Sequence, residues 1–209
     1  MTTPPIDPLL RDRRSPSVFD PTHTLDDSQL ASLLEAARWS PSWGNTQPWR
    51  FLVGRRGDAS HARIVAALSR GNRQWAPAAS AILIGLRQVG AEPDDPKGGL
   101  RTYDYTAYDL GQSAAHLSVQ AVSMGLAVHQ FGGFDHDAIA AGFAVPPQWE
   151  VLSGIAVGRW LPSAERTTDS PDVDQANVER EERPRKRRPL DQLAFAERFG
   201  EPLRVGHGE

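Results

Sequence analysis

Residues 81–86 read A-I-L-I-G-L, an apolar run with no polar side chain. A strand that faces water on one side alternates apolar and polar residues, so an unbroken run belongs to a strand covered on both faces. Such a strand needs helices above and below its sheet, and the flanking sequence provides the helical period. Leu30, Leu33, Leu34 and Ala37 recur at i, i+3, i+4 and i+7, one face of a helix. The segment before them, Thr24-Leu25-Asp26-Asp27, is a helix start with acidic residues toward the positive end of the dipole, and Pro41 ends the helix. Ile64, Val65, Ala67 and Leu68 form the stripe of a second helix over 59–70. Leu110, Ala114, Leu117, Ala121 and Met124 mark a third over 109–124, and Gly111, Ser113, Ala115 and Ser118 surround its stripe. Small residues there predict packing on several sides, in a central position or at a subunit interface. Strands are predicted at 51–53, 126–131 and 155–157, with a short helix at 135–141. The fold class expected is α+β, three layers with a mixed central sheet flanked by helices.

The chain has 209 residues, enough for one core and too few for two, so a single domain over 1–209 is expected. Residues 1–24 are rich in proline and charge and read as an arm. Residues 87–106 are irregular, and 162–188 carry little to bury. The formal charge of −3 provides no overall field to recruit nucleic acid or an anionic membrane. No apolar run approaches the length of a membrane span, and the M-T-T-P-P-I-D-P start lacks the basic and apolar regions of a secretion signal. Cysteine is absent, which excludes disulfides, thiolate metal sites and cysteine nucleophiles. A cytoplasmic location is expected. His129 and His136 have no metal-ligand spacing, so no metal is expected. Without a G-x-G-x-x-G motif no separate dinucleotide-binding fold is expected.

Four constellations can carry chemistry. Arg13-Arg14-Ser15 can hold a phosphate through matched, charge-assisted hydrogen bonds, or be an exposed basic pair. In Pro41-Ser42-Trp43-Gly44-Asn45-Thr46-Gln47-Pro48-Trp49, two prolines and a glycine fix a loop. Asn45 and Gln47 there offer donors and acceptors to a planar heterocycle; the alternative is a solvated turn whose tryptophans plug the core. In Phe131-Gly132-Gly133-Phe134-Asp135, the glycines let backbone approach a ligand or simply make a strand-to-helix turn, and Asp135 caps the next helix. Arg183-Pro184-Arg185-Lys186-Arg187-Arg188-Pro189 can hold phosphate or be a solvated run. It is short and lacks the aromatic interleaving of a nucleic-acid site.

Taken in order, these motifs resemble the nitroreductase-like FMN-dependent oxidoreductases. The similarity covers residues 11–160 and resumes at 183–193. It rests on R-R-S-P-S-V-F-D at 13–20, A-R-W-S-P-S-W-G-N-T-Q-P-W-R-F at 37–51, Q-F-G-G-F-D at 130–135 and R-K-R-R-P-L-D-Q-L ending at Leu193. The resemblance implies a homodimer with FMN sites at the interface, each built from both chains. It implies that Arg13, Arg14 and Ser15 contact the FMN phosphate and its surroundings. Pro41, Ser42 and Trp43 would line the isoalloxazine, with Asn45 near the ribityl chain and Gln47 also in the cofactor set. Asn72 would read the flavin pyrimidine edge, and Gly132 and Gly133 would bring a backbone N–H to flavin N5. Arg185 and Arg187 would return to the phosphate, with Arg188 in place of Arg187 if the tail register shifts by one. The pattern breaks at Ser17, where many members carry a basic residue near flavin N1 and O2; Arg14, Arg50 and Arg73 are the candidates for that cation.

The implied activity is NAD(P)H-dependent reduction of small acceptors, nitroaromatics or quinones, by a ping-pong mechanism. The flavin carries the chemistry and no side chain is nominated as acid or base. The alternatives are another FMN reaction on the same fold (reductive dehalogenation, dehydrogenation or flavin fragmentation) or a non-enzymatic flavin-binding protein. Trp43, Tyr103 and Tyr105, with Trp75 considered beside them, are expected to form the substrate pocket. Residues 162–209 are expected to be a polar linker and an arm wrapping the partner subunit.

Overall fold

The structure is a computed structural model that describes residues 4–94, 103–166 and 175–204. Helix α1 (Pro8–Asp12) lies in the N-terminal arm. It is followed by α2 (Asp27–Arg38), β1 (Trp49–Arg55), α3 (Ala59–Ala67), the single turn α4 (Arg70–Arg73) and β2 (Ala81–Gln88). Then come α5 (Thr106–Ser123), β3 (Ala127–Phe131), α6 (His136–Gly142), β4 (Trp149–Gly158) and α7 (Gln175–Glu182).

The four strands form one sheet in the order β1-β2-β4-β3, antiparallel at every pairing. The mixed sheet expected from the alternation of helices and strands is therefore corrected. The parallel crossover does exist, since β2 and β3 run the same way with α5 between them. However, β4 inserts between these two strands and separates them. Strand order is set by long-range packing, and the local periods do not carry it. A bulge between Gly85 and Leu86 shifts the β2–β4 register.

The β2 run divides its side chains as a doubly covered strand should. Ile82, Ile84 and Leu86 pack with Ile64 of α3 and Ile139 of α6. Ala81 and Leu83 pack on the other face with Leu33 of α2 and with Ala114, Leu117 and Ala121 of α5. Three layers result, with α5 against both α2 and the sheet. Helix α2 starts with a complete capping box: Asp26 accepts from the Gln29 N–H and Gln29 accepts from the Asp26 N–H, which satisfies two otherwise orphaned donors.

Helix α7 lies in the polar stretch from which no helix was expected. Val178 packs with Val18 and Leu161 of its own chain. Helix α7 thus packs against the segments around Val18 and Leu161. Past them, Leu190, Leu193, Phe199 and Leu203 are exposed, Phe199 by 92%. No helix among the described residues is long and apolar enough to cross a membrane.

Candidate functional site

The N-terminal arm, Trp160 and the segment around the end of α7 meet at a pocket of about 190 Å³ lined by Arg13, Arg14, Ser15, Pro16, Trp160, Arg180, Glu181, Arg183 and Arg185. Arg13 donates from Nη1 to Ser15 Oγ (3.1 Å), and Arg185 donates from Nη1 to the Arg13 carbonyl (2.9 Å). Arg14 stacks on the Trp160 ring, its guanidinium carbon 4.8 Å from the centroid. Burial, then the neighbouring charges of Arg187 and Arg185, lowers the pKa of the Arg13 guanidinium. Clustered cations that raise each other's energy are relieved by an anion, and five guanidiniums against one carboxylate suit a phosphate. Of the residues expected here, Arg13, Arg14, Ser15 and Arg185 line the pocket and Arg187 is close enough to act on Arg13. Arg183 belongs to the basic run read as able to hold phosphate; Arg180 was missed because 162–188 read as a polar stretch with nothing to anchor it, and Trp160 because no motif singles it out.

The pocket is connected to the glycine turn. His129 of β3 places Nδ1 2.9 Å from the Pro16 carbonyl oxygen. That oxygen can only accept, so Nδ1 carries the proton. Burial lowers the His129 pKa, opposed by the Pro16 bond and Glu181. Its ring stacks on Trp75 at 4.3 Å, and Trp75 Nε1 donates to Asn72 Oδ1 (3.2 Å). Asn72 Nδ2 and the Ser69 N–H then converge on the Gly133 carbonyl at 2.9 and 3.0 Å. A Cβ on Gly133 would stand 2.7 Å from Asn72 Nδ2 and 2.8 Å from Ser69 Oγ, whereas one on Gly132 would meet nothing within 4 Å. Gly133 is thus fixed by its neighbours, and Gly132 faces open space where a ligand can approach. Trp75 is a buried core residue packed with Phe19 and Phe131, which corrects its consideration for the substrate wall.

The second set of residues is elsewhere. After Pro41, a tight loop puts Gly44, Asn45 and Gln47 at φ of 60°, 56° and 51°. For asparagine this left-handed region is tolerated and for glutamine it is strained. The loop is held by Ser42, whose Oγ accepts from the Gln47 N–H at 2.9 Å. Asp109 of α5, buried at 2% exposure, accepts from the Trp43 N–H at 3.2 Å. Trp43 stacks on Tyr105 with centroids 6.2 Å apart, and both are exposed. The Tyr103 carbonyl accepts from the Thr106 N–H and hydroxyl. Among the described residues, no hydrogen bond or ring contact joins this set to the arginine pocket or the glycine turn. Asp109 had been read only as the start of a helix.

Ser17 is buried and its N–H donates to Glu181 Oε1. Of the three cations considered for its missing charge, Arg50 sits over Trp149 and 3.6 Å from Glu92. Arg73 donates to the Ala66 and Leu68 carbonyls. Only Arg14 of the three lines the pocket.

The model of the nitroreductase family matches residues 10–159, and the chain belongs to that family. An uncharacterized 15.4 kDa protein of Mycolicibacterium smegmatis is 36% identical over 162 residues, 74% of this chain and 99% of that one. An oxygen-insensitive NADPH nitroreductase of Helicobacter acinonychis is 37% identical over 76 residues, 36% of this chain and 35% of the relative. A crystal structure described as an oxidoreductase containing FMN superposes with a TM-score of 0.84 at 30% identity, covering 96% of both chains.

Proposed function

We propose that the chain is an FMN-dependent oxidoreductase that uses NAD(P)H to reduce small organic acceptors, nitroaromatics or quinones, in a ping-pong cycle. The observation that carries this reading is the arginine-lined pocket linked through His129, Trp75 and Asn72 to the open Gly132 position. Its cations suit the cofactor's phosphate. Asn72 keeps one amide N–H and one lone pair uncommitted to the bonds above, for the flavin's pyrimidine edge. Bound FMN would exchange two electrons with donor and acceptor in turn. Similarity to a structure containing FMN supports the cofactor, and the NADPH nitroreductase relative supports the donor.

The reading includes a homodimer. The 41–47 loop, with Pro41, Ser42, Trp43, Asn45 and Gln47, would be brought to the arginine half-site by the partner subunit, and Arg187 would complete the phosphate set. The exposed Leu190, Leu193, Phe199 and Leu203 provide apolar surface for that association. Trp43, Tyr103 and Tyr105 would form the acceptor's wall. Dependence on a reduced nicotinamide favours the cytoplasm.

Anaerobic photometry tests the proposal. NADH or NADPH should bleach the flavin absorbance of the FMN-loaded protein, and menadione or nitrofurazone should restore it. Bound flavin that neither nicotinamide reduces would refute it.

A further inference from the structure

Helix α7 has little apolar surface to hold it: among its residues only Asn177 and Val178 are buried. Its main tie is a carboxylate. The Glu181 side chain is 8% exposed. Its Oε1 accepts from the N–H groups of Ser17 and Val18, the latter at 2.7 Å. Its Oε2 accepts from Trp160 Nε1 at 3.0 Å and lies 3.8 Å from Arg166 Nη2. A carboxylate out of water is costly unless donors surround it, and here three N–H groups and a guanidinium do so.

The partners of Glu181 are the pocket's supports. Ser17 and Val18 follow Arg13, Arg14 and Ser15 across the single residue Pro16. Trp160 is the surface on which Arg14 stacks. Arg180 and Arg183 flank Glu181 in sequence, and all three line the pocket.

We propose that Glu181 is a positioning residue for phosphate recognition. It fastens the N-terminal arm and Trp160 to α7, so that guanidiniums from the arm and from the segment around the end of α7 face one anion. This rests on the FMN reading above and adds that discrimination between FMN and riboflavin, which lacks the phosphate, depends on Glu181. A residue that served stability alone would weaken both flavins together.

The test titrates flavin-free full-length protein with FMN and with riboflavin and follows flavin fluorescence. E181A should weaken FMN about tenfold or more while changing riboflavin by less than about twofold, since a bond to a charged group is lost but the isoalloxazine contacts remain. E181Q keeps an acceptor for Ser17 and Val18 and should fall between. W160F removes the donor to Oε2 but keeps a ring under Arg14, and should cost FMN about threefold; it decides the question if E181A does not fold. Equal loss of both flavins, or loss of neither, would overturn the inference. Wild-type protein that takes up neither flavin would overturn the FMN reading and this inference with it.

Discussion

Replacing Gly133 and Gly132 separately by alanine divides structural from ligand-binding roles at adjacent positions. Neither glycine has a left-handed φ, so alanine costs nothing special in the backbone and only its methyl group matters. At Gly133 that methyl group would crowd Asn72 Nδ2 at 2.7 Å and Ser69 Oγ at 2.8 Å. Relief requires moving Asn72, which strains its bonds to the Gly133 carbonyl and to Trp75 Nε1. Overpacking of this kind costs about 1–3 kcal/mol. Taking about 2 kcal/mol, the midpoint should fall by roughly 4–8 °C for a chain of this size. At Gly132 the methyl group meets nothing within 4 Å, and the flavin-free protein should melt within about 1 °C of wild type, an exposed substitution being near neutral. The same G132A protein should bind FMN more weakly, because the methyl group occupies the open side. Thermal unfolding of both flavin-free variants, with FMN titration of G132A, decides the matter. A G133A protein as stable as wild type, or a G132A protein with full FMN affinity, would refute the reasoning.

Three further outcomes are expected. Burial lowers the pKa values of His23, His61 and His129, and Nε2 of buried His61 has no hydrogen-bond partner among the described residues. The unfolded state therefore binds more protons, so stability is complete above about pH 6.5 and declines as pH falls below it. Asp20, which burial pushes up but Thr22 and Arg159 bring down to about 2, adds a second decline below about pH 4. Urea midpoints across pH check both steps, and a flat profile from pH 8 to 5 would contradict the histidine placement. D26A breaks the capping box of α2 and should cost about 1 kcal/mol in urea unfolding; an unchanged midpoint would show that the box contributes nothing. Y105A removes the ring stacked on Trp43 and should change the ratio of kcat/KM between a quinone and a nitroaromatic while FMN affinity stays constant. An unaltered ratio would remove Tyr105 from the acceptor wall.

The legible parts of the fold are those whose cause is local. The α2 stripe and its acidic start were read from neighbouring residues and match the capping box at Asp26 and Gln29. Residues 81–86 announced a doubly covered strand, and Leu83 and Ile84 are buried against opposite layers. Strand β4 was seen only at 155–157, although it begins at Trp149. Its first half includes exposed Glu150 and half-buried Leu152 and Ser153, so no continuous run marks it. The order that places β4 between β2 and β3 is not local and was not visible. Helix α7 was missed because a carboxylate holds it where a core helix would show an apolar stripe, and composition does not distinguish a satisfied Glu181 from a solvated one. In the site, residue order pointed to Arg13, Ser15, Asn72, Gly133 and Arg185. The contacts that unite them run through His129, which carried no motif, and Trp75, which was weighed only for the substrate wall. Arg180 and Arg183 reach the pocket only because α7 folds back onto its own chain.

The most direct test of the central claim is equilibrium binding of FMN to the flavin-free protein, read as quenching of flavin fluorescence and growth of a bound-flavin absorption spectrum. The account predicts saturable uptake of one FMN per chain, greatly weakened when Arg13 and Arg14 are both changed to alanine. A protein that stays colourless at saturating FMN, or a double variant that binds as well as wild type, would contradict it.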